Sequence, residues 1–150
     1  MGYTTDFEGQ FNVTPTLSQE HLVHLSNFID ARHEGSGFPG YYCQWVPNET
    51  GTVIEWDGNE KFYDYEDWIV YLIKNFLAPW GYKLNGTVLW SGESRGDSGV
   101  ITITDNRVHV RDSKGRNEFI YGSVTVEIQN SIAKELPPSR VFLLGPTENE

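Results

Sequence analysis

The sequence has little cysteine, no long apolar run and, in its first half, few basic side chains. One cysteine among 150 residues cannot form an internal disulfide and gives no metal cluster. No apolar run approaches the roughly 18 residues of a membrane-spanning helix, and the opening residues lack the pattern of a signal peptide. We therefore expect a cytoplasmic protein without a membrane partner. Its length suits a single domain over residues 1–150, with a disordered tail from about residue 145.

The shortage of basic residues is confined to one half of the chain. Residues 1–70 hold 12 acidic and two basic side chains, whereas residues 71–150 hold nine of each sign. The whole net charge of −10 therefore belongs to the first half. This balance argues against non-specific nucleic-acid binding, which needs a basic surface, and against an anionic membrane as partner.

Apolar residues alternate, or recur at helical spacing, in nine segments. The alternation predicts strands over residues 3–13, 41–46, 52–56, 82–90, 100–104, 107–111 and 118–128. Helical spacing predicts one helix from the N-cap Ser18 to about His33, and a second from the N-cap Asp64 to a stop at Pro79. The order β-α-β-β-α-β-β-β-β predicts an α+β fold, in which two helices pack on one side of a mainly antiparallel sheet.

Three distinctive motifs lie in the first half of the chain. They are GYTTDFEG at residues 2–9, CQWVP at 43–47 and IEWDGNEKFY at 54–63, and LNG follows at 84–86. Together they resemble a family of short, largely uncharacterised proteins of bacteria and their phages, over about residues 2–110. The resemblance brings no established activity. It implies a small cytosolic, phage-borne protein, and small phage proteins often inhibit host defence.

The most suggestive pattern lies in the hairpin that turns on Asp105 and Asn106. With a two-residue turn, one face of the hairpin carries the cross-strand pairs Thr104–Arg107, Thr102–His109 and Val100–Arg111. Two guanidinium groups, an imidazole and two hydroxyl groups on one face suit a phosphate or another anion. The alternative is an ordinary solvated sheet face.

Further candidates for this anion site lie elsewhere in the sequence. Arg95 is in the loop before the hairpin, and Lys114 and Arg116 are in the loop after it. Among the many aromatic residues, Tyr63 and Trp80 lie near loops and are candidates for stacking on a base.

Other chemistry-bearing residues are expected to have structural roles. Glu55 and Asp57 lie on one strand face and could act as acid and base, but no catalytic or calcium-loop motif surrounds them. His21 and His24 are neighbours on the first helix and lack further zinc ligands at a regular spacing. Cys43 lies in an apolar segment, where small buried cysteines are common.

Two functions are therefore weighed. The first is a small-ligand binding protein, phage-encoded, that sequesters a nucleotide-type host immune signal between the subunits of a homo-oligomer. The alternative is an acidic inhibitor that occupies the basic nucleic-acid-binding surface of a host protein. No glycine-rich phosphate loop, nucleophile elbow or metal motif supports an enzyme, and no cofactor or metal is expected.

Overall fold

The computed structural model describes residues 2–122. It contains seven strands: β1 Thr5–Thr14, β2 Trp45–Pro47, β3 Val53–Trp56, β4 Lys83–Gly92, β5 Ser98–Thr104, β6 Arg107–Asp112 and β7 Asn117–Tyr121. Two helices interrupt them: α1 Gln19–Asp30 and α2 Tyr65–Leu72, the second continued by a π-helical turn Ile73–Leu77 and a last short segment, α3 Ala78–Trp80. The predicted α+β fold and the order of its elements are confirmed.

The seven strands form one sheet in the order β2-β3-β1-β4-β5-β6-β7, and every neighbouring pair is antiparallel. Strands β1 and β4 form the longest pair, in register from Thr5–Gly92 to Thr14–Lys83. Gly9 lies in this pair with a φ of +110°, and a Cβ there would lie 2.5 Å from the carbonyl oxygen of Thr87. A glycine is therefore required where the two strands approach this closely.

One face of the sheet carries the core, and both helices pack against it. The fully buried side chains include Phe11, Trp45, Ile54, Leu84, Val88, Ile101, Val108 and Val110 from the strands, and Leu25, Trp68, Ile69 and Leu72 from the helices. Because side chains alternate along a strand, the residues between them point to the opposite face. We call that opposite side the open face, because no described helix covers it.

The second helix begins at the predicted N-cap residue but differs from the prediction in its capping and in where it ends. Asp64 holds the N-cap position, but its backbone is left-handed (φ +60°) and its side chain makes no capping hydrogen bond. Pro79 does not stop the helix, which ends one residue later at Trp80 before the left-handed Gly81. A π-helical turn precedes Pro79, and Pro79 itself lies in the first turn of α3, where a proline is tolerated.

Two more boundaries differ from the sequence expectation. The strand predicted over 41–46 is shortened to Trp45–Pro47, and the first helix ends at Asp30 rather than near His33. The backbone N–H of His33 donates to the carbonyl oxygen of Tyr41, so this stretch forms a loop contact instead. The predicted continuation of the last strand to residue 128 and the predicted tail from about residue 145 lie outside the described residues.

Candidate functional site

The basic hairpin has the register that the sequence predicts. Strands β5 and β6 pair Thr104 with Arg107, Thr102 with His109 and Val100 with Arg111. The intervening residues Ile101, Ile103, Val108 and Val110 are buried in the core. The two arginines, the histidine and the threonines therefore share the open face, as expected.

Local contacts explain why this register is fixed. Asp105 and Asn106 have φ values of +47° and +72°, which a two-residue turn between twisted strands requires. The Asn106 side chain accepts a hydrogen bond from the N–H of Leu84 at 2.7 Å and donates to the carbonyl oxygen of Tyr82 at 2.8 Å. These hydrogen bonds hold the turn against the beginning of β4. A shift of the β5–β6 register by one residue would break them.

The open face of the hairpin forms a shallow depression of about 550 Å³. It is lined by Thr102, Thr104, Arg107, His109, Arg111, Asn117 and Phe119. Five of the eight residues predicted for ligand binding therefore lie together. The structure adds two residues, Asn117 and Phe119, both from β7.

The two arginines of the depression are available to a ligand. Arg111 is exposed and Arg107 is half-buried, and neither forms an ion pair with any residue from 2 to 122. The carboxylate of Asp112, which follows Arg111 in the sequence, instead accepts hydrogen bonds from the backbone N–H groups of Arg116 and Lys114. These hydrogen bonds hold the pKa of Asp112 below its usual range. Two guanidinium groups on one strand face, with no ion-pair partner among residues 2–122, are the main electrostatic feature of this site.

Arg116, in contrast, is engaged outside the depression. Its guanidinium donates to Glu66 on α2 and to Glu118 on β7. Desolvation lowers the pKa of Arg116, but these two carboxylates outweigh that effect and raise it. The residue therefore links the β6–β7 hairpin to a helix and is not part of the basic face.

Phe119 is the aromatic residue that the sequence analysis missed. Its side chain is 42% exposed, and its ring meets the imidazole of His109 edge-on at 4.9 Å between ring centres. A signal for it was present, because residues 118–128 were predicted to form a strand, in which Phe119 and its apolar neighbour Ile120 must point to opposite faces. The exposed ring offers a stacking surface directly beside the cationic groups.

Three of the predicted ligand-binding residues lie away from this depression. Arg95 is exposed in the loop between β4 and β5. Trp80 lies on the helical side of the sheet, where its ring stacks on His21 at 4.0 Å. Tyr63 lies in a separate cavity and accepts the backbone N–H of Tyr3. Their sequence positions near loops carried no information about which side of the sheet they would occupy.

The separate cavity is lined mainly by aromatic and acidic residues. It has a volume of about 610 Å³, and its lining residues are Gly40, Tyr41, Tyr42, Gln44, Glu60, Lys61, Tyr63 and Asp64. Each of the three tyrosines is more than half exposed. Lys61 lies 3.3 Å from Glu60, which leaves the Asp64 carboxylate without an ion pair among residues 2–122.

Three of the remaining reactive residues have structural partners. The carboxylate of Asp57 accepts the N–H of Asn59 at 2.8 Å, which is the contact of a tight turn. His21 hydrogen-bonds to the hydroxyl of Tyr82 at 2.7 Å, while His24 packs against Phe76 and Trp80.

Cys43 is buried, and its burial raises the pKa of the thiol to about 12. A thiol with so high a pKa is a poor nucleophile at neutral pH, because the thiolate is the reactive form. This environment fits the structural role that was expected for Cys43.

Within residues 2–122, no group of three or more histidine, cysteine or acidic side chains could hold a metal ion. Over the same residues, no helix has the length and apolar character needed to cross a membrane. Comparison with protein-family models, with curated proteins and with solved structures found no match for this chain. The resemblance of its motifs to a bacterial and phage family therefore stays a prediction.

Proposed function

We propose that the protein binds a small anionic ligand on the open face of the β5–β6–β7 hairpins. The observation that carries the proposal is the depression in which Arg107, His109 and Arg111 meet two threonine hydroxyl groups. Charge-assisted hydrogen bonds from guanidinium groups to phosphate oxygens are about twice as strong as neutral ones. Neither arginine is paired with a described acid, so a ligand would not have to break an existing ion pair.

The shape of the site favours an elongated anion over a single phosphate. Arg107 and Arg111 are four residues apart on one strand, which separates their backbones by about 13 Å. A ligand suited to this backbone separation carries more than one negative group, or one such group and a polar body. A nucleotide meets this requirement, because its phosphates can lie along the arginines while its base stacks on Phe119.

The biological role that we propose, from the anion site together with the motif resemblance, is the sequestration of a nucleotide-type signal of host immunity in the cytoplasm of a bacterial cell. A sequestering protein binds its ligand and leaves it chemically unchanged, which agrees with a site made of cations, hydroxyl groups and one aromatic ring. The test of this role is whether purified protein removes a cyclic or linear oligonucleotide signal from solution and releases it unchanged after heat denaturation.

Thermal-shift and calorimetric titrations with a panel of mono-, di- and cyclic nucleotides and inorganic triphosphate test the binding. Each arginine contact is worth roughly 1.5–3 kcal/mol, so Arg107→Ala should weaken binding about 10- to 150-fold. Arg95→Ala is the matched control, because it removes the same charge from a loop outside the depression. Phe119→Ala should weaken the binding of nucleotides more than the binding of inorganic triphosphate. The proposal is refuted if no anion binds, or if Arg95→Ala weakens binding as much as Arg107→Ala.

A second candidate function is an acidic inhibitor of a basic, nucleic-acid-binding protein. The cavity of Tyr41, Tyr42 and Tyr63 favours it, because exposed tyrosines are frequent interface hot spots and this cavity also holds Asp64 and Glu60. A basic protein captured from a bacterial lysate should then bind more weakly at high salt and after Tyr42→Ala. Capture that is insensitive to both changes would rule this function out.

A further inference from the structure

The open face of the sheet has opposite charges at its two sides. Asp6 and Glu8 alternate to this face on β1, which is the third strand from the β2 edge of the sheet. Arg107 and Arg111 occupy the same face of β6, three strands away. The two sides are therefore separated by about 14 Å, with uncharged side chains between them.

The cross-strand register arranges these residues in straight rows. One row runs across four strands through Glu8, Leu89, Val100 and Arg111. The next row runs through Gln10, Thr87, Thr102 and His109. Each row therefore begins with an acid or an amide on β1 and ends with a basic side chain on β6.

Such rows are complementary to themselves. A two-fold axis that lies parallel to the strands, midway between β4 and β5, reverses each row when it generates a second sheet above the first. Glu8 of one copy then faces Arg111 of the other, and Leu89 faces Val100. In the second row Gln10 faces His109, so neither row brings two like charges together. Sheets packed in this way lie about 10 Å apart with nearly aligned strands.

We propose that a second copy of this chain docks on the open face in this two-fold arrangement. Charge complementarity within a single row selects a second copy as the partner. In an isologous interface the same patch of both subunits meets, so that patch must be complementary to itself. Leu89 is 51% exposed at the centre of the face, where it would be buried against Val100 of the second copy. Strands β1 and β4 have ten residues each, so the face is about 33 Å long at these two strands. A specific dimer buries roughly 800 Å² per partner. At about 3.3 Å per residue and 4.8 Å between strands, the seven strands give a flat area of roughly 700 Å² before the relief of their side chains is added.

The inference goes beyond the proposed anion binding and does not rest on it. Thr102, His109 and Arg111 take part in both surfaces, whereas Arg107 lies outside the two complementary rows. Dimerisation can therefore be measured without any ligand, and ligand binding can be weakened at Arg107 without changing either complementary row.

Charge reversal tests the arrangement. Sedimentation velocity and light scattering over a concentration series should give a dimer for the wild type, weakened by salt. Glu8→Arg and Arg111→Glu each place two like-charge contacts in the dimer and should each raise its dissociation constant about tenfold or more. The double variant Glu8→Arg with Arg111→Glu restores opposite charges and should recover the dimer.

The controls are charge reversals outside the face, Glu49→Arg in the β2–β3 turn and Arg95→Glu in the β4–β5 loop. Both should leave the dimer unchanged, and circular dichroism with thermal melting verifies that every variant is folded. A wild type that stays monomeric at 0.2 mM (roughly a hundredfold above a typical micromolar Kd) overturns the proposal. So does a folded double variant that remains as monomeric as either single variant.

Discussion

Gly9→Ala is a sharp test of how β1 and β4 are joined. Gly9 has a φ of +110°, and an added Cβ would lie 2.5 Å from the carbonyl oxygen of Thr87 and 3.3 Å from the Cα of Val88. Both neighbours are backbone atoms of a central strand, so they cannot move away as a flexible side chain would. The substitution therefore combines an unfavourable φ with a steric conflict inside the longest strand pair.

Gly35→Ala separates these two effects. Gly35 has a nearly identical φ of +104°, but a Cβ there would meet no atom within 4 Å. Its substitution should cost about 1 kcal/mol, the strain of a left-handed alanine less the reduced entropy of the unfolded chain. Gly9→Ala should cost roughly 3 kcal/mol, because overpacking against a rigid neighbour adds about 1–3 kcal/mol.

Urea unfolding, monitored by tryptophan fluorescence, measures the loss of unfolding free energy in both variants, since several of the five tryptophans lie in the core. At this chain length, 1 kcal/mol corresponds to about 2–4 °C in Tm, so Gly9→Ala should melt about 6–12 °C below the wild type. Equal losses of unfolding free energy for the two variants would refute the argument. They would mean that β1 and β4 separate freely to admit a Cβ, and that the close approach contributes nothing.

Two more predictions follow from the environment of single side chains. Cys43 should react with a disulfide reagent far more slowly in the native protein than in urea, because burial raises the pKa of its thiol to about 12. The chain has no other cysteine, so the labelling signal reports this thiol alone. Fast labelling of the native protein would contradict the buried position. If Arg111 serves both the anion site and the dimer, a saturating anionic ligand should lower the dimer fraction in sedimentation experiments. Arg107→Ala should shift that effect to a ligand concentration about 10- to 150-fold higher. A dimer that persists at saturation would show that the two surfaces do not share Arg111.

Local patterns in the sequence determine the hairpin and its basic face. A two-residue Asp-Asn turn fixes which residues are paired, and the period of two in a strand then fixes which side chains share a face. The register of Arg107, His109 and Arg111 against the threonines is confirmed for this reason. The fold class is predictable on the same grounds, because alternation and helical spacing are local properties.

Residues in loops and at element ends were predicted less well. Tyr63, Trp80 and Arg95 were grouped with the basic face because they lie near loops, but their positions depend on where the chain returns to the sheet. Arg116 is similar, since its partner Glu66 is 50 residues away in the sequence. Contacts over such distances are set by the packing of helices on the sheet, which no local pattern reports.

The sequence by itself determined that the excess negative charge lies in the first half of the chain and the basic stripe in the second. Only the tertiary structure decided that the two meet on one surface. Strand β1, from the beginning of the chain, inserts between β3 and β4 in the middle of the sheet, so Glu8 comes into the same row as Arg111. The physical reason is strand order: pairing between distant segments, and not their separation along the chain, sets which charges become neighbours.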